Sequence, residues 1–478
     1  MQVLGIEPVG IYDNFFELGG HSLLIAQILN QVSEFLGLEV PLLYFFENPT
    51  ISGMADIINR SEQSGAIHPL KVIDLPAEVV LDDSIYPPEK STELVVEPAQ
   101  IFLTGATGFL GAFLLQELLQ QTSANIYCLV RAANIQEGKQ KIQQNLEQYL
   151  VWDEAFKSRI IPVLGDLSQP LLGLEEPTFR QLASEIDVIY HNGAFVNLIY
   201  PYSALKATNV LGTQEVLRLA SQIKLKPVHY ISTLAIFESD AYAGKQGIKE
   251  DDSIEHHQGL YDGYAQSKWV AENLIKIAKS RGIPISVYRP GMITGHSKTG
   301  VANSNDIMSR LLKSFILLKN APQMNWIMDI TPVDYISSAI VYVSMQKKSL
   351  GQTFHLVNPN PLHLSSLIEV INVLGYSVGQ IPYQDWQKEI LEVVKHLADN
   401  SLSPLLPLVV EKIPGKELTY LETSSMASQS FDCQNLLKAL AGTSILCPPV
   451  NTQLLDVYFF YFKQNGFIEG NIEITGGV

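Results

Sequence analysis

Gln100-Ile101-Phe102-Leu103-Thr104-Gly105-Ala106-Thr107-Gly108-Phe109-Leu110-Gly111 is the stretch on which the fold turns. An apolar run ends at Thr104, glycines follow at every third position, and helical apolar spacing continues over 109–120. A strand that enters a glycine turn and leaves as a helix is the first unit of a βαβ arrangement. Downstream, the apolar runs 126–130, 160–164, 188–191, 228–232 and 285–288 alternate with helical stretches. That alternation predicts an α/β fold, a Rossmann-type doubly wound parallel sheet covered on both faces. Past Pro290 the alternation weakens, and 307–319, 365–374, 386–397 and 433–440 read as helices of a mostly helical C-terminal subdomain. The apolar stretch 455–462 is too short for a bilayer and reads as a buried helix.

The glycines carry chemistry as well as shape. Gly105 permits the tight turn, Gly108 lets backbone approach a pyrophosphate, and Gly111 lets the helix pack close on the strand. The backbone from Thr104 and Thr107 through Phe109 and Leu110 then lines a dinucleotide cradle at a helix N-terminus. The next strand ends in Arg131, where an acidic residue would hold the ribose hydroxyl of NAD; a cation there suits the 2′-phosphate of NADP. The G-x-x-G-x-x-G spacing resembles the extended short-chain dehydrogenase/reductase family. That resemblance implies that Asp166 and Leu167 lie at the adenine, that Asn192, Gly193 and Ala194 make room for the nicotinamide half, and that Asn209 organises the site. Asp166 reads equally as a helix cap.

Tyr264-Ala-Gln-Ser-Lys268 places a phenol and an ammonium on one helix face. Carbonyl reduction needs a proton for oxygen as hydride reaches carbon, and tyrosine is a poor acid at neutral pH. A neighbouring Lys268 charge is expected to lower the Tyr264 pKa, with both residues also touching the cofactor. Thr233 closes the run 228–233 and is placed to hold the same substrate oxygen. Strand alternation leaves only one of Ser232 and Thr233 for the site, and the family position matches Thr233.

The N-terminal sixty residues have a different character. In Asp13-Asn-Phe-Phe-Glu-Leu-Gly19-Gly20-His21-Ser22, two glycines turn the chain and a serine opens a helix over 22–36. A second helix is expected over 50–59, with Thr50 as its N-cap. The serine by itself reads as a cap. The surrounding residues resemble the phosphopantetheine attachment site of peptidyl carrier proteins, which implies 4′-phosphopantetheine on Ser22, attached by a phosphopantetheinyl transferase. Only the tail of the first carrier helix is expected in residues 2–5, as in a piece of a larger synthetase.

Together these motifs resemble the terminal thioester reductase domains of nonribosomal peptide synthetases. The resemblance implies NADPH-dependent release of a carrier-tethered peptidyl or acyl thioester, received from upstream modules, as an aldehyde or, after a second round, an alcohol. The expected organisation is a carrier domain over 1–60, a Pro- and acid-rich linker with an extended lead-in over 61–97, a nucleotide-binding domain over 98–300, and a substrate lobe over 301–478 with segments returning to the core. Tyr261, Met292 and Trp326 are candidates for the lobe's lining, each also explicable as packing. A sugar-nucleotide epimerase or dehydratase shares the glycine turn and the Tyr/Lys pair but leaves residues 1–60 unexplained. A non-redox releasing cyclase lacks the tyrosine that this chain has, and a passive carrier-docking module leaves the whole constellation idle.

Bulk properties narrow the classes further. Of 478 residues, 46% are hydrophobic and 17% charged, a globular balance. A net charge of −17 argues against a nucleic-acid partner. Three scattered cysteines, Cys128, Cys433 and Cys447, show neither disulfide nor metal spacing, and with no membrane-length apolar run a cytoplasmic enzyme without metal is expected.

Overall fold

The computed structural model describes residues 3–4, 7–15, 18, 22–36, 45, 49–64, 73–88, 97–396, 400–413, 416–427 and 429–468. Seven parallel strands form the central sheet: β1 (Gln100–Thr104), β2 (Asn125–Val130), β3 (Ile160–Leu164), β4 (Val188–His191), β5 (Val228–Ile231), β6 (Ile285–Pro290) and β7 (Thr353–Leu356). Their order is β7-β6-β5-β4-β1-β2-β3. Every residue of β4, β5, β6 and β7 is buried, which is why the segments of β4, β5 and β6 read as runs rather than as alternating patterns.

Helices fill the crossovers. They are α3 (Phe109–Gln121), α4 (Ile135–Gln148), α5 (Glu176–Glu185), α6 (Gly212–Ser221) and α7 (Gly263–Ser280). Right-handed connections place α3 and α4 on one face and α6 and α7 on the other. The segment 73–88 lies along α6 and α7. Arg281 donates to the carbonyls of Leu81, Asp82 and Ile85 at 3.1, 2.7 and 3.0 Å, and Leu75, Leu81 and Ile85 are buried in the main core.

The C-terminal part contains α8 (Ile307–Leu318), α9 (Val333–Ser344), α10 (Leu364–Val373), α11 (Tyr383–His396), α12 (Gln434–Leu440) and α13 (Thr452–Gln464). Asp306 caps α8 by accepting from Ser309 N–H at 2.6 Å, and Lys319 ends it in the left-handed region at φ 53°. Segments of this part return to the sheet. Strand β7 returns to the sheet as its edge, and α9 packs against α3. Three short ladders also interrupt the helices: Ile293–Thr294 with Thr331–Pro332, Ile327–Met328 with Leu362–His363, and Asn320–Pro322 with Gly379–Ile381.

Two large cores result. One surrounds the sheet; the other gathers Leu311, Phe315, Ile368, Trp386, Leu455 and Phe459 from α8, α10, α11 and α13. A third, small core joins Phe15, Ile25, Phe45 and Met54 of the N-terminal segment. There α1 (Ser22–Leu36) and α2 (Ile51–Ser64) are helical, and Thr50 Oγ1 accepts from Gly53 N–H at 3.0 Å to cap α2. Among the described residues no helix is long and apolar enough to cross a membrane.

Candidate active site

Strand order reverses between β1 and β4, and an open α/β sheet takes its ligand in the crevice at that point. Register sets Thr104 beside His191 there. A directed hydrogen-bond chain fixes both. Thr213 Oγ1 donates to Asn209 O at 2.7 Å, so it accepts from His191 Nε2 at 3.0 Å. His191 Nδ1 then accepts from Thr104 Oγ1 at 2.8 Å, and Thr104 in turn accepts from Gly193 N–H at 2.8 Å. Burial, then the Lys268 charge, push the His191 pKa down to about 3, so this imidazole is neutral and structural.

The glycine turn is shaped as a dinucleotide requires. Gly105 has φ +74°, and a Cβ there would lie 2.8 Å from Gly193 Cα. A Cβ on Gly111 would meet Gly105 O at 1.9 Å, so helix and turn touch backbone to backbone. Gly108 N-caps α3 with no side-chain cap, leaving the first-turn N–H groups for a phosphate. From α4, Asn145 Nδ2 pins the turn through Ala106 O and Gly108 O at 3.1 and 3.2 Å. Arg131 is exposed and makes no side-chain hydrogen bond among the described residues, while Lys141 Nζ reaches its carbonyl at 2.9 Å. Asp166 accepts from Ser168 N–H and Oγ, both at 2.8 Å, which builds the turn after β3. Asn192 Nδ2 donates to Gly105 O at 3.3 Å. Thr107, Phe109, Leu110, Leu167 and Ala194 sit on the same turn, helix start and strand ends. These residues fit a nicotinamide dinucleotide: a glycine turn with no Cβ in the way, uncapped N–H groups at the start of α3, and an exposed arginine just after β2.

The candidate catalytic residues Thr233, Tyr264 and Lys268 converge where β5 ends and α7 begins. Asp262 caps α7 by accepting from Ala265 N–H at 2.7 Å, which orients the first turn bearing Tyr264. The Thr233 hydroxyl bonds the Tyr264 phenol and so favours its anion, yet burial dominates and holds the phenol well above its usual range. Lys268 does not pair directly with Tyr264: its Nζ donates to Ile231 O at 2.7 Å and lies 4.3 Å above the Tyr230 ring. Burial lowers the Lys268 pKa to about 7, opposed by the Glu272 carboxylate one turn along α7.

Sequence reasoning missed that carboxylate. Glu272 accepts from Ser232 Oγ and from Arg289 at 2.6 and 3.0 Å, and both members of the ion pair are buried. Ser232 thus turns toward Glu272 while Thr233 turns toward Tyr264. A Glu four residues after a Lys is unremarkable on any helix; only β6 brings Arg289 to it. Asn209, on a π-helical turn (Ala207–Leu211), spends its amide on Phe195 N–H and O (2.7 and 3.0 Å) and on Ser267 Oγ (2.9 Å), which itself bonds Tyr264 O at 2.8 Å. Of the lobe candidates, Trp326 is buried in the second core, Met292 packs against it, and Tyr261 bonds Asp240 at 3.1 Å beneath Lys416. Ser22 opens α1, but its side chain lies outside the described residues.

A model of the male sterility protein family, which is NAD-binding, matches residues 103–340, and one of the phosphopantetheine attachment site matches residues 1–58. A solved structure, the terminal R domain from the myxalamid PKS-NRPS biosynthetic pathway, is 43% identical with TM-score 0.76, covering 83% of this chain and 98% of that one. The chain belongs to the reductase (R) domain family of nonribosomal peptide synthetases. A linear gramicidin synthase polypeptide of Brevibacillus parabrevis is 42% identical over 472 residues, 97% of this chain but 9% of that protein. A thiolation-reductase di-domain from an archaeal nonribosomal peptide synthetase shares the fold across 98% of this chain and 96% of that one, at TM-score 0.69 and 22% identity. The chain spans less than half the length of the curated relatives it matches. As an R domain it is an oxidoreductase that uses a nicotinamide cofactor, and the carrier segment bears phosphopantetheine.

Proposed function

We propose that this R domain reduces a peptidyl or acyl thioester carried on Ser22, with NADPH, and releases it as an aldehyde. One thioester, one NADPH and one proton give one aldehyde, one thiol and NADP+. NADPH, when bound, supplies the hydride. Thr233 and Tyr264 hold the thioester oxygen, and the Tyr264 phenol gives it a proton as charge develops there. Lys268, charged and fixed by Ile231 O, supplies the positive field that eases loss of that proton. The hemithioacetal then loses the pantetheine thiol, and a second round makes an alcohol. Arg131 holds the 2′-phosphate, and a phosphopantetheinyl transferase installs the arm on Ser22.

The observation that carries this reading is the Thr233–Tyr264–Lys268 group at the strand ends beside a glycine-lined switch point, in a chain that also bears a carrier segment. An epimerase reading accounts for the first feature alone. The test is NADPH consumption with an acyl-pantetheine thioester, with the product trapped as a hydrazone. Equal amounts of NADP+ and aldehyde support the reading; no oxidation, or release of the acid, rejects it.

A further inference from the structure

The loop from Phe195 to Tyr200, between β4 and the helix Tyr202–Lys206, takes no part in the chemistry above, yet it is firmly built. Asn197 Oδ1 accepts from the N–H groups of both Ile199 and Tyr200 at 2.9 Å. The Phe195 and Tyr200 rings meet edge to face, 5.5 Å between centroids. Asn209 grips one end through Phe195 N–H and O. The other end lies against Gly263, the residue before Tyr264. A Cβ on Gly263 would fall 2.3 Å from Tyr200 O and 2.5 Å from Pro201 C, so loop backbone and catalytic helix are in direct contact.

The outward face of this loop is apolar. Phe195 is 39% and Val196 64% exposed with the carrier segment in place, so the contact falls on the other end of the loop. Ile199 and Tyr200 pack against the small carrier core of Phe15, Ile25, Phe45 and Met54. Helix α1, which Ser22 opens, also touches the turn Asn400–Leu405 of the C-terminal part.

We propose that the Phe195–Tyr200 loop is the docking surface for this chain's own carrier segment, and that its backing on Asn209 and Gly263 sets the delivered thioester in register with Tyr264. The proposal rests on the reductive-release reading and adds to it the surface and the route of alignment. A platform tied by backbone to the first turn of α7 passes the carrier's position to the reacting phenol without slack, and small misplacements of reacting atoms are costly. The arm is already tethered to the same chain, and docking narrows the volume it searches.

The test uses the full chain carrying phosphopantetheine and compares two substrates: an acyl group loaded on Ser22, followed in a single turnover, and the same acyl group as a free pantetheine thioester. Ile199→Glu places a charge in the apolar contact and is expected to slow release of the tethered substrate at least about tenfold. The rate on the free thioester stays unchanged and reports that the site is folded. Ile199→Ala, a smaller change, gives the same pattern with a loss of about threefold. Unchanged tethered turnover in both variants overturns the proposal, and so does an equal loss on both substrates, which marks a site defect rather than a docking defect. A wild-type chain that reduces neither substrate sinks the reductive reading itself, and the docking proposal with it.

Discussion

Thr104, His191, Thr213 and Asn209 form one chain of hydrogen bonds whose directions are all fixed by the Thr213 donation to a backbone carbonyl. It ends at Ser267, under Tyr264, so Thr104 at the glycine turn and Tyr264 on α7 share one scaffold. Replacing Tyr264 with Phe keeps the ring and removes the proton. Turnover is expected to fall by about 10²–10⁴-fold while NADPH binding, read by fluorescence, stays at the wild-type level. Lys268 is expected to set the pH dependence. Its charged form prevails below about 7, where the groups facing it are Glu272 and Tyr264 on its own helix, the Tyr230 ring and Ile231 carbonyl of β5, and neutral His191 of β4. kcat/KM is therefore expected to decline as pH rises through about 7. Glu272→Gln removes the charge that favours the ammonium, so that limb moves to lower pH; a limb that stays in place refutes the electrostatic role. For Ser232 and Thr233, strand alternation left one of the two for the site, and only the family resemblance pointed to Thr233. Glu272 was not legible, because its partner Arg289 lies on β6 and nothing local marks the pair.

At the level of elements, the glycine turn and the first six strands were readable because each couples an apolar run to a change of period. The seventh strand was not. Thr353–Leu356 is four residues long, stands after the helix α9 in a region where alternation has lapsed, and acquires its place only by pairing with β6. The ladders of the C-terminal part are two or three residues long and carry no period at all. Gly111→Ala tests the backbone contact between α3 and the turn. With 1.9 Å available to the new Cβ, the turn must shift, and a loss of about 1–3 kcal/mol in stability together with weaker NADPH binding is expected from thermal melts and titration. Arg131→Ala tests the strand end after β2. NADPH affinity is expected to drop about 10–100-fold, as for a lost charge-assisted contact, with NADH affinity unchanged. Arg289→Ala leaves Glu272 buried without its cation and is expected to cost about 3–5 kcal/mol in denaturant unfolding.

Across the whole molecule, a carrier segment and a reductase sheet occupy one chain, and the carrier core packs against the loop after β4. The resemblance of residues around Ser22 to peptidyl carriers and of the later motifs to R domains was visible in residue types and spacing, and both family matches support it. How the two halves meet was not visible, since Ile199 and Tyr200 look like any apolar pair in a loop until the carrier core lies against them. Ser22→Ala is expected to abolish release of a chain-borne acyl group while leaving reduction of a free pantetheine thioester intact. The most direct measurement follows the hydrogen itself: a single turnover of the acyl-loaded chain with NADPH carrying two deuterium atoms at C4 of the nicotinamide, with the released product weighed by mass spectrometry. An aldehyde bearing one deuterium at its carbonyl carbon is expected. An unlabelled acid, a cyclised product, or an acyl group still on the chain would contradict reductive release.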